Sequence, residues 1–338
     1  MNYKELMEKS REVMGTKLCK SCPVCDGRAC RNTVPGPGAK GIGDVAIRNY
    51  DAWKNIRVNM DTITNNEPVS TELELFGKTF KYPIFAGPVG AVSMHYSDAF
   101  NDTSYNDVLV KGCMDAGICA FTGDGKDPSI MINATRIIKE NHGHGIPTVK
   151  PWSLETYLEK LNLAIDSHAF AIAMDVDAAG LPFLKGCIPP AGRMNTEQLK
   201  EIISNTPVPF IVKGVMTVKG ALKAKEAGAS AIVVSNHGGR VQDQCPATAE
   251  VLEEIVKAVD GSMKIFVDGG LRNGVDIFKA LALGADAVIV ARPFVNAIYG
   301  TKEEGIQVLV DKLGSELQDT MEMCGAKSLK DITRDMVR

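Results

Sequence analysis

The chain has 338 residues, of which 45% are hydrophobic and 23% are charged, and its formal net charge is -3 at pH 7. A chain of this size and composition can bury one large hydrophobic core, as a single α/β barrel domain does. The small acidic excess argues against nucleic acid or a membrane surface as the partner, because both attract proteins with a basic face.

Four of the nine cysteines lie close together near the start of the chain. They are Cys19, Cys22, Cys25 and Cys30, with the spacing C-x2-C-x2-C-x4-C, and lysines and arginines flank them. Thiolates this close in sequence can bind one iron-sulfur cluster, and neighbouring cations favour the deprotonated ligands. Zinc is an alternative, although zinc sites more often take their ligands from two separated pairs. Four reduced thiols without a metal are the third interpretation.

The first thirty residues lack the apolar core of a secretory signal, and nowhere do about 18 apolar residues follow one another. We therefore expect a cytoplasmic protein, in a compartment where disulfides seldom persist. Residues 32–44 are rich in Gly and Pro and predict either a linker or a loop over the mouth of the next domain. On this basis residues 1–45 form a Cys-rich N-terminal extension, and residues 46–338 form one domain.

Within this domain, short apolar runs alternate with stretches of helical periodicity. Eight runs of this kind are the number that closes a parallel barrel, so the sequence predicts a (β/α)8 TIM barrel. Residues 248–259 illustrate the helical pattern, with Gly261 expected as the C-terminal cap, and Asn273 is expected to open the next helix. The predicted strands cover residues 83–86, 118–122, 146–150, 171–175, 210–213, 232–235, 264–268 and 287–291.

The sixth predicted strand leads into an imidazole and a guanidinium, in the sequence Ser-Asn-His-Gly-Gly-Arg. The carboxyl ends of parallel barrel strands open on one face, where reactive groups are both rigidly held and accessible. His237 can accept a proton near neutral pH, and Arg240 can bind a carboxylate or phosphate through two hydrogen bonds. A plain turn with solvated charges is the alternative.

Other strands also end in polar residues. Lys213 is placed to reach the central cavity, unless its ammonium snorkels to the rim. Asp175 and Asp177 alternate on the fourth strand, so their side chains are expected to point the same way, and one of them is expected to orient His237 or to cap the next helix.

The last two strands lead to a further set of charges. Asp268, two glycines, Arg272 and Arg292 predict a phosphate site there, because barrels often bind phosphate at this corner. Structural salt bridges of the two arginines are the alternative.

The segments IVKG, VSNHGGR, CPATAEVLEEIVKAV, VDGGLRNGVDIFKALALGA and ARP together resemble the FMN-dependent α-hydroxy-acid oxidases and dehydrogenases. This family includes glycolate oxidase, lactate oxidase and flavocytochrome b2. The resemblance is dense over residues 208–332 and sparser over residues 82–95. It implies a barrel that binds FMN across the carboxyl ends of its strands.

The resemblance also implies which residues contact the cofactor. The flavin ring is expected along Pro88, Val89 and Gly90, with Thr122 and Thr148 near its polar edge, and Lys150 and Asp175 are also assigned to cofactor binding. Lys213 is expected beside the N1 and C2 carbonyl of the ring, where it would stabilise the anionic reduced form, and Ser235 is expected to touch the flavin. The phosphate is assigned to Asp268, Gly269, Gly270, Leu271, Arg272, Ala291 and Arg292.

For catalysis, the resemblance implies that His237 is the base, that Asp177 supports its charge, and that Arg240 binds the substrate carboxylate. The sequence predicts an oxidoreductase that converts a 2-hydroxy acid of the lactate or glycolate type to the 2-oxo acid. The alternatives are an FMN-dependent isomerase of the type 2 isopentenyl diphosphate isomerase kind and a non-catalytic flavin or thiol redox protein. A protein electron acceptor and a homotetramer are further expectations.

The sequence departs from the family pattern at several positions. The cysteine segment replaces a region that holds a carboxylate-binding tyrosine in the family. Lys150 stands where the family has a second tyrosine, Asp175 where it has threonine, and Ala291 where it has glycine. An expected arginine falls at Leu184 or Lys185. We therefore expect a rebuilt substrate pocket, with Lys150 as a replacement cation for the substrate.

Overall fold

The computed structural model describes residues 1–338 and contains a closed barrel of eight parallel strands. A short antiparallel hairpin, β1 and β2, precedes the barrel strands β3 to β10, which pair in chain order until β10 closes onto β3. The predicted (β/α)8 barrel is confirmed. The strands are β1 (Leu73–Leu75), β2 (Lys78–Phe80), β3 (Ile84–Ala86), β4 (Cys119–Thr122), β5 (Ile146–Val149), β6 (Ile172–Asp175), β7 (Phe210–Val215), β8 (Ala231–Val234), β9 (Lys264–Val267) and β10 (Ala287–Val290).

Each of the eight predicted runs overlaps one barrel strand, and no end differs by more than two residues. The largest difference is in β7, which continues beyond Lys213 to Val215. Gly214 has a φ of 102°, and the pairing register with β8 shifts between Lys213 and Val215. This irregularity explains why the apolar pattern alone ended the strand too early.

The helices lie outside the barrel. The helix predicted at residues 248–259 is confirmed, but its cap is Asp260 in a left-handed conformation, with Gly261 next to it. Asn273 caps α10 as predicted, because its side chain accepts the backbone N–H of Asp276. The helices are α1 (Tyr3–Met14), α2 (Asp44–Asn55), α3 (Val92–His95), α4 (Asp102–Asp115), α5 (Pro128–Glu140), α6 (Leu154–Asp166), α7 (Thr196–Ser204), α8 (Val218–Glu226), α9 (Thr248–Val259), α10 (Gly274–Ala282) and α11 (Arg292–Met323).

The barrel interior is filled with side chains, so it offers no channel. Phe85, Phe121 and Phe266 meet edge to face in its centre, with ring centroids 5.2 to 6.0 Å apart. Phe80 of the hairpin packs on Phe85 and covers the N-terminal end of the barrel. A ligand site is therefore confined to the opposite end, where the strands finish.

The N-terminal extension packs against the barrel domain. Leu6 of α1 is fully buried in the main hydrophobic core, against Gly300 and Gly305 of α11. The predicted boundary between residues 45 and 46 falls inside α2, so we propose to begin the barrel unit at Asp44. None of the helices combines the length and the apolar character that crossing a membrane requires.

Residues 32–44 were expected to form either a linker or a loop over the mouth of the barrel. In the structure they form the loop. The backbone N–H of Lys40 donates to Gly239 O at 2.8 Å, and its ammonium donates to Val241 O at 3.0 Å. The loop therefore lies directly against the segment that follows β8.

Candidate active site

A cavity of about 600 Å³ opens at the carboxyl ends of the barrel strands. This volume is within the range of roughly 300–1,000 Å³ that is usual for small-molecule sites. Most of the residues predicted for the site line it, and they come from loops far apart in the sequence. These are Pro88, Val89, Gly90, Lys150, Lys213, His237, Arg240, Asp268, Gly269, Gly270, Leu271, Arg272, Ala291 and Arg292.

The other predicted residues are buried behind this lining. The hydroxyls of Thr122 and Thr148 lie at the ends of β4 and β5 and have no hydrogen-bond partner in the protein. Ser235 is fully buried and joins Lys213 to Asp268, and its own contact with a cofactor stays a prediction.

His237 is braced by Asp177. The imidazole Nδ1 lies 3.1 Å from Asp177 Oδ1, and the backbone N–H of His237 donates to Ser235 Oγ at 3.1 Å. Burial raises the pKa of Asp177, but His237 and Lys213 outweigh burial and hold the pKa below its usual value. Asp177 is therefore ionised, and with Nδ1 facing it the other ring nitrogen, Nε2, is left for a substrate.

Asp177 does not lie on the strand, as its alternation with Asp175 had suggested. It belongs to the short 3-10 helix Val176–Gly180 that follows β6. The two carboxylates nevertheless converge, because their oxygens and an imidazole nitrogen of His237 all lie within 4.8 Å of one another.

Lys213 is the cation at the centre of this group. Its ammonium lies 3.4 Å from Asp268 Oδ2 and donates to Ser235 Oγ at 3.1 Å, and the side chain is only 3% exposed. Burial by itself lowers the pKa of Lys213, but the carboxylates of Asp268, Asp177 and Asp175 outweigh it and raise the pKa above its usual value. Lys213 is a fixed positive charge facing the cavity.

Lys150 and Asp175 are partners. The ammonium of Lys150 donates to Asp175 Oδ2 at 2.5 Å, and Asp175 is 1% exposed. The lysine and the aspartate that depart from the family pattern at these positions therefore form one ion pair with each other. With Lys150 and Lys213 already next to these carboxylates, the group of Asp175, Asp177 and His237 has no need of a metal cation.

This pairing leads to a prediction about stability. Lys150→Met leaves Asp175 buried without its cation, and we expect the free energy of unfolding to fall by roughly 3–5 kcal/mol. Lys150→Met combined with Asp175→Thr removes both charges, and we expect most of that loss to disappear. Urea unfolding of the three proteins measures the difference. Equal stability of the single variant and the parent would contradict the pairing.

The side chain of Arg240 is hydrogen-bonded to the loop of residues 32–44. One of its terminal nitrogens donates to Gly36 O at 2.6 Å and to Gly38 O at 3.1 Å, and the other lies 3.3 Å from His95 Nε2. His95 Nδ1 accepts the backbone N–H of Gly36 at 3.0 Å, so both ring nitrogens of His95 face nitrogen donors. The extension thus fixes the guanidinium that lines the cavity.

Burial and the neighbouring Arg240 lower the pKa of His95 to about 4, well below the usual value for histidine. The folded state therefore prefers the neutral ring, and the contribution to stability is complete above about pH 6.5 and is lost as the pH falls towards 4. We expect roughly 3 kcal/mol to be lost over this window, and less in His95→Gln. Unfolding free energies at several pH values test this, and parallel curves for the two proteins would refute it.

Two arginines face the corner beyond β9 and β10. The Arg292 side chain makes no hydrogen bond in the protein, and Nη1 of Arg292 and Nη2 of Arg272 are buried without partners. Arg272 donates through Nε to Cys25 O at 2.7 Å, so the cysteine segment borders this corner. Gly270 lines the same cavity as the two arginines and has a φ of 83°, and a side chain there would collide with the backbone of Asn49. A doubly charged phosphate matches these unpaired donors.

The residues present therefore fit FMN. The unpaired hydroxyls of Thr122 and Thr148 are suited to the polar edge of a flavin, and the unpaired arginines are suited to its phosphate. Ala291 has a φ of -106°, a conformation open to any residue, so its methyl group in place of the family glycine causes no strain.

The four thiols at the N-terminus differ in character. Burial raises the pKa of Cys19 to about 11. Burial also acts to raise the pKa of Cys25, but Arg272 and Arg292 outweigh it and lower the value. All nine cysteines of the chain are free.

The sequence did not single out two residues of the site, His95 and Asp124. Asp124 accepts hydrogen bonds from the Lys160 ammonium at 2.5 Å, the Trp152 indole at 2.6 Å and the backbone of Lys150 at 3.1 Å. The Gly-Asp-Gly sequence directly after β4 was the available signal for Asp124. His95 carried no such signal, because it lies in an isolated single-turn helix.

A family model described as FMN-dependent dehydrogenase matches residues 37–181 and 173–338. The chain belongs to this family of FMN-dependent barrel proteins, and the resemblance seen in the sequence is confirmed.

Curated relatives match over one segment of the chain. A peroxisomal (S)-2-hydroxyacid oxidase of Arabidopsis thaliana is 48% identical over 135 residues, which is 40% of this chain and 37% of the relative. An L-lactate oxidase of Roseobacter sp. (strain GAI101) is 43% identical over 141 residues, 42% of this chain and 38% of the relative. The matched segment thus spans less than two fifths of the length of these relatives.

Solved structures match over the whole chain. Mandelate oxidase with (S)-2-phenylpropionate superposes with a TM-score of 0.80 at 25% identity, over 100% of this chain and 97% of that chain. A mandelate oxidase variant that carries an FMN adduct gives a TM-score of 0.77 at 25% identity, over 98% and 97% of the two chains.

Proposed function

We propose that this protein oxidises a 2-hydroxy acid to the 2-oxo acid with FMN as its cofactor. The observation that carries the proposal is the convergence, in one cavity, of a carboxylate-braced imidazole, a buried ammonium and a guanidinium. His237, Lys213 and Arg240 are these groups, and they come from two different strand ends.

FMN supplies a two-electron acceptor when it is bound. Arg240 would bind the substrate carboxylate, since a guanidinium can form two parallel hydrogen bonds to it. His237 Nε2 would take a proton from the hydroxyl or from the carbon that bears it. Asp177 would stabilise the imidazolium that results, and Lys213 would offset the negative charge that develops on the cofactor side.

The Lys150 ammonium is a second cation for a substrate carboxylate, because it faces the cavity beside Asp175. In the double variant Lys150→Met with Asp175→Thr, which removes the pair together, we expect KM for carboxylate substrates to rise. If kcat/KM for every carboxylate substrate stayed unchanged, Lys150 would have no such role.

Some expectations from the sequence stay proposals. We keep a cytoplasmic location, which the nine free thiols support, and a homotetramer. A metal centre at Cys19, Cys22, Cys25 and Cys30, either an iron-sulfur cluster or zinc, also stays a proposal.

A product assay tests the reaction. The FMN-loaded protein is incubated with glycolate, L-lactate or mandelate and an artificial electron acceptor, and the 2-oxo acid is identified by mass spectrometry. We expect at least one of these acids to give its 2-oxo acid. Conversion of isopentenyl diphosphate with no reaction of any hydroxy acid would instead support the isomerase alternative, which no feature of the site favours.

A further inference from the structure

The four N-terminal cysteines face one narrow chamber beside the main cavity. Cys19, Cys22, Cys25 and Cys30 all line it, and each is partly buried and free of a disulfide. Three residues, Pro37, Tyr96 and Arg292, line both this chamber and the main cavity. The chamber and the flavin site therefore share a wall.

The loop that carries the thiols is fixed to the barrel. Ser21 is fully buried and donates to Asn296 Oδ1 at 3.4 Å, while Cys19 Sγ approaches the same oxygen at 3.9 Å. Arg11 of α1 donates to Ser21 O at 2.9 Å, and Arg272 donates to Cys25 O. These contacts hold the backbone between the cysteines, so the thiols converge without a disulfide.

The spacing of the thiols distinguishes a cluster from a single ion. Sulfurs lie about 2.3 Å from a tetrahedral zinc ion, and therefore about 3.8 Å from one another. No three of the four cysteine sulfurs lie within 4.8 Å of one another. A four-iron cluster has one thiolate on each iron, so its ligands surround a larger core. This grouping argues against a single zinc ion, and it is compatible with the larger core of a cluster.

The charges around the chamber also suit an anionic cluster. Arg292 lines the chamber and its side chain makes no hydrogen bond in the protein, and Arg272 lies beside Cys25. Because Arg292 also lines the main cavity, its charge can offset both a cofactor phosphate and an anionic group among the thiols. We propose that Cys19, Cys22, Cys25 and Cys30 bind an iron-sulfur cluster of the four-iron type.

The cluster would give the electrons from substrate oxidation a route out of the flavin site. This inference rests on the proposed function. Oxidation of a 2-hydroxy acid to the 2-oxo acid releases two electrons and two protons. The cluster accepts one electron at a time, so the pair leaves in two steps to a one-electron carrier protein, which is the oxidant. The protons pass to His237 and to water.

Metal analysis of the full chain tests the cluster. The protein is purified without air from cells supplied with iron, and iron, acid-labile sulfide and zinc are measured. We expect about four iron and four sulfide per chain, with an EPR signal after dithionite reduction. One zinc per chain without iron, or metal-free protein with four titratable thiols in the segment, would overturn the proposal.

A pair of variants assigns the ligands. We expect Cys22→Ser with Cys25→Ser to lose the iron and sulfide, and Cys245→Ser, a partly buried cysteine outside the segment, to keep them. Thermal unfolding and FMN content show whether the double variant is folded. Full iron content in a folded double variant would contradict the assignment.

Anaerobic addition of L-lactate, glycolate or mandelate separates the two proposals. Bleaching of the flavin without iron in the protein would leave the oxidation standing and remove the cluster. Iron and sulfide present, with no bleaching by any of the acids, would leave the cluster standing and remove the proposed oxidation. We expect both bleaching and the EPR signal of the reduced cluster.

Discussion

His237→Asn is expected to keep FMN bound and to lower the rate of flavin reduction by a 2-hydroxy acid about a thousandfold. The reason is that a positioned general base contributes roughly 10²–10⁴ to the rate, and the imidazole that contacts Asp177 and faces the cavity is the group we propose as this base. Asparagine suits this position, because His237 has a φ of 57°, in the left-handed region that asparagine tolerates. Anaerobic stopped-flow absorbance measures the rate.

His168→Asn is the matched control. His168 also has a left-handed backbone, with a φ of 58°, but it is exposed and lies before β6, away from the cavity. We expect this variant to reduce flavin at the parent rate. Retention of the parent rate in His237→Asn would show that another group is the base.

Lys213→Met is the second variant with a large expected effect. We propose that the buried Lys213 ammonium lies beside the flavin, so its loss should destabilise the reduced, anionic cofactor by roughly the 2.7–4 kcal/mol that one oxyanion donor contributes. For a two-electron couple this corresponds to a midpoint potential lower by about 60–85 mV. Spectroelectrochemical titration of the bound flavin measures the potential directly.

A control separates this effect from lost stability. Lys160 also pairs with a buried carboxylate, Asp124, at 2.5 Å, but its own side chain does not line the cavity. We expect Lys160→Met and Lys213→Met to lower the free energy of unfolding by similar amounts. Only Lys213→Met is expected to change the flavin potential. Equal potentials in Lys213→Met and the parent would mean that this ammonium does not act on the flavin.

The barrel and the centre of its site were predictable from the sequence because both depend on local patterns. Buried parallel strands appear as short apolar runs, and the polar residues that follow them must share one face of the barrel. His237, Lys213 and Arg240 were found in this way. The resemblance to the family then supplied the cofactor.

Other features depend on contacts between distant segments, and local patterns do not encode these. Lys150 and Asp175 looked like two separate departures, although they form one ion pair across neighbouring strands. The role of residues 32–44 in holding Arg240 was equally hidden, because it consists of backbone carbonyls. Every residue carries a backbone carbonyl, so the sequence does not show which of them bind Arg240.

The most direct test of the central claim is the absorbance spectrum of the FMN-loaded protein during anaerobic addition of a 2-hydroxy acid. We expect FMN to bind and its oxidised band to bleach, with one 2-oxo acid formed for each flavin reduced. A protein that fails to bind FMN would contradict it. So would bound flavin that dithionite bleaches while glycolate, L-lactate and mandelate all leave the spectrum unchanged.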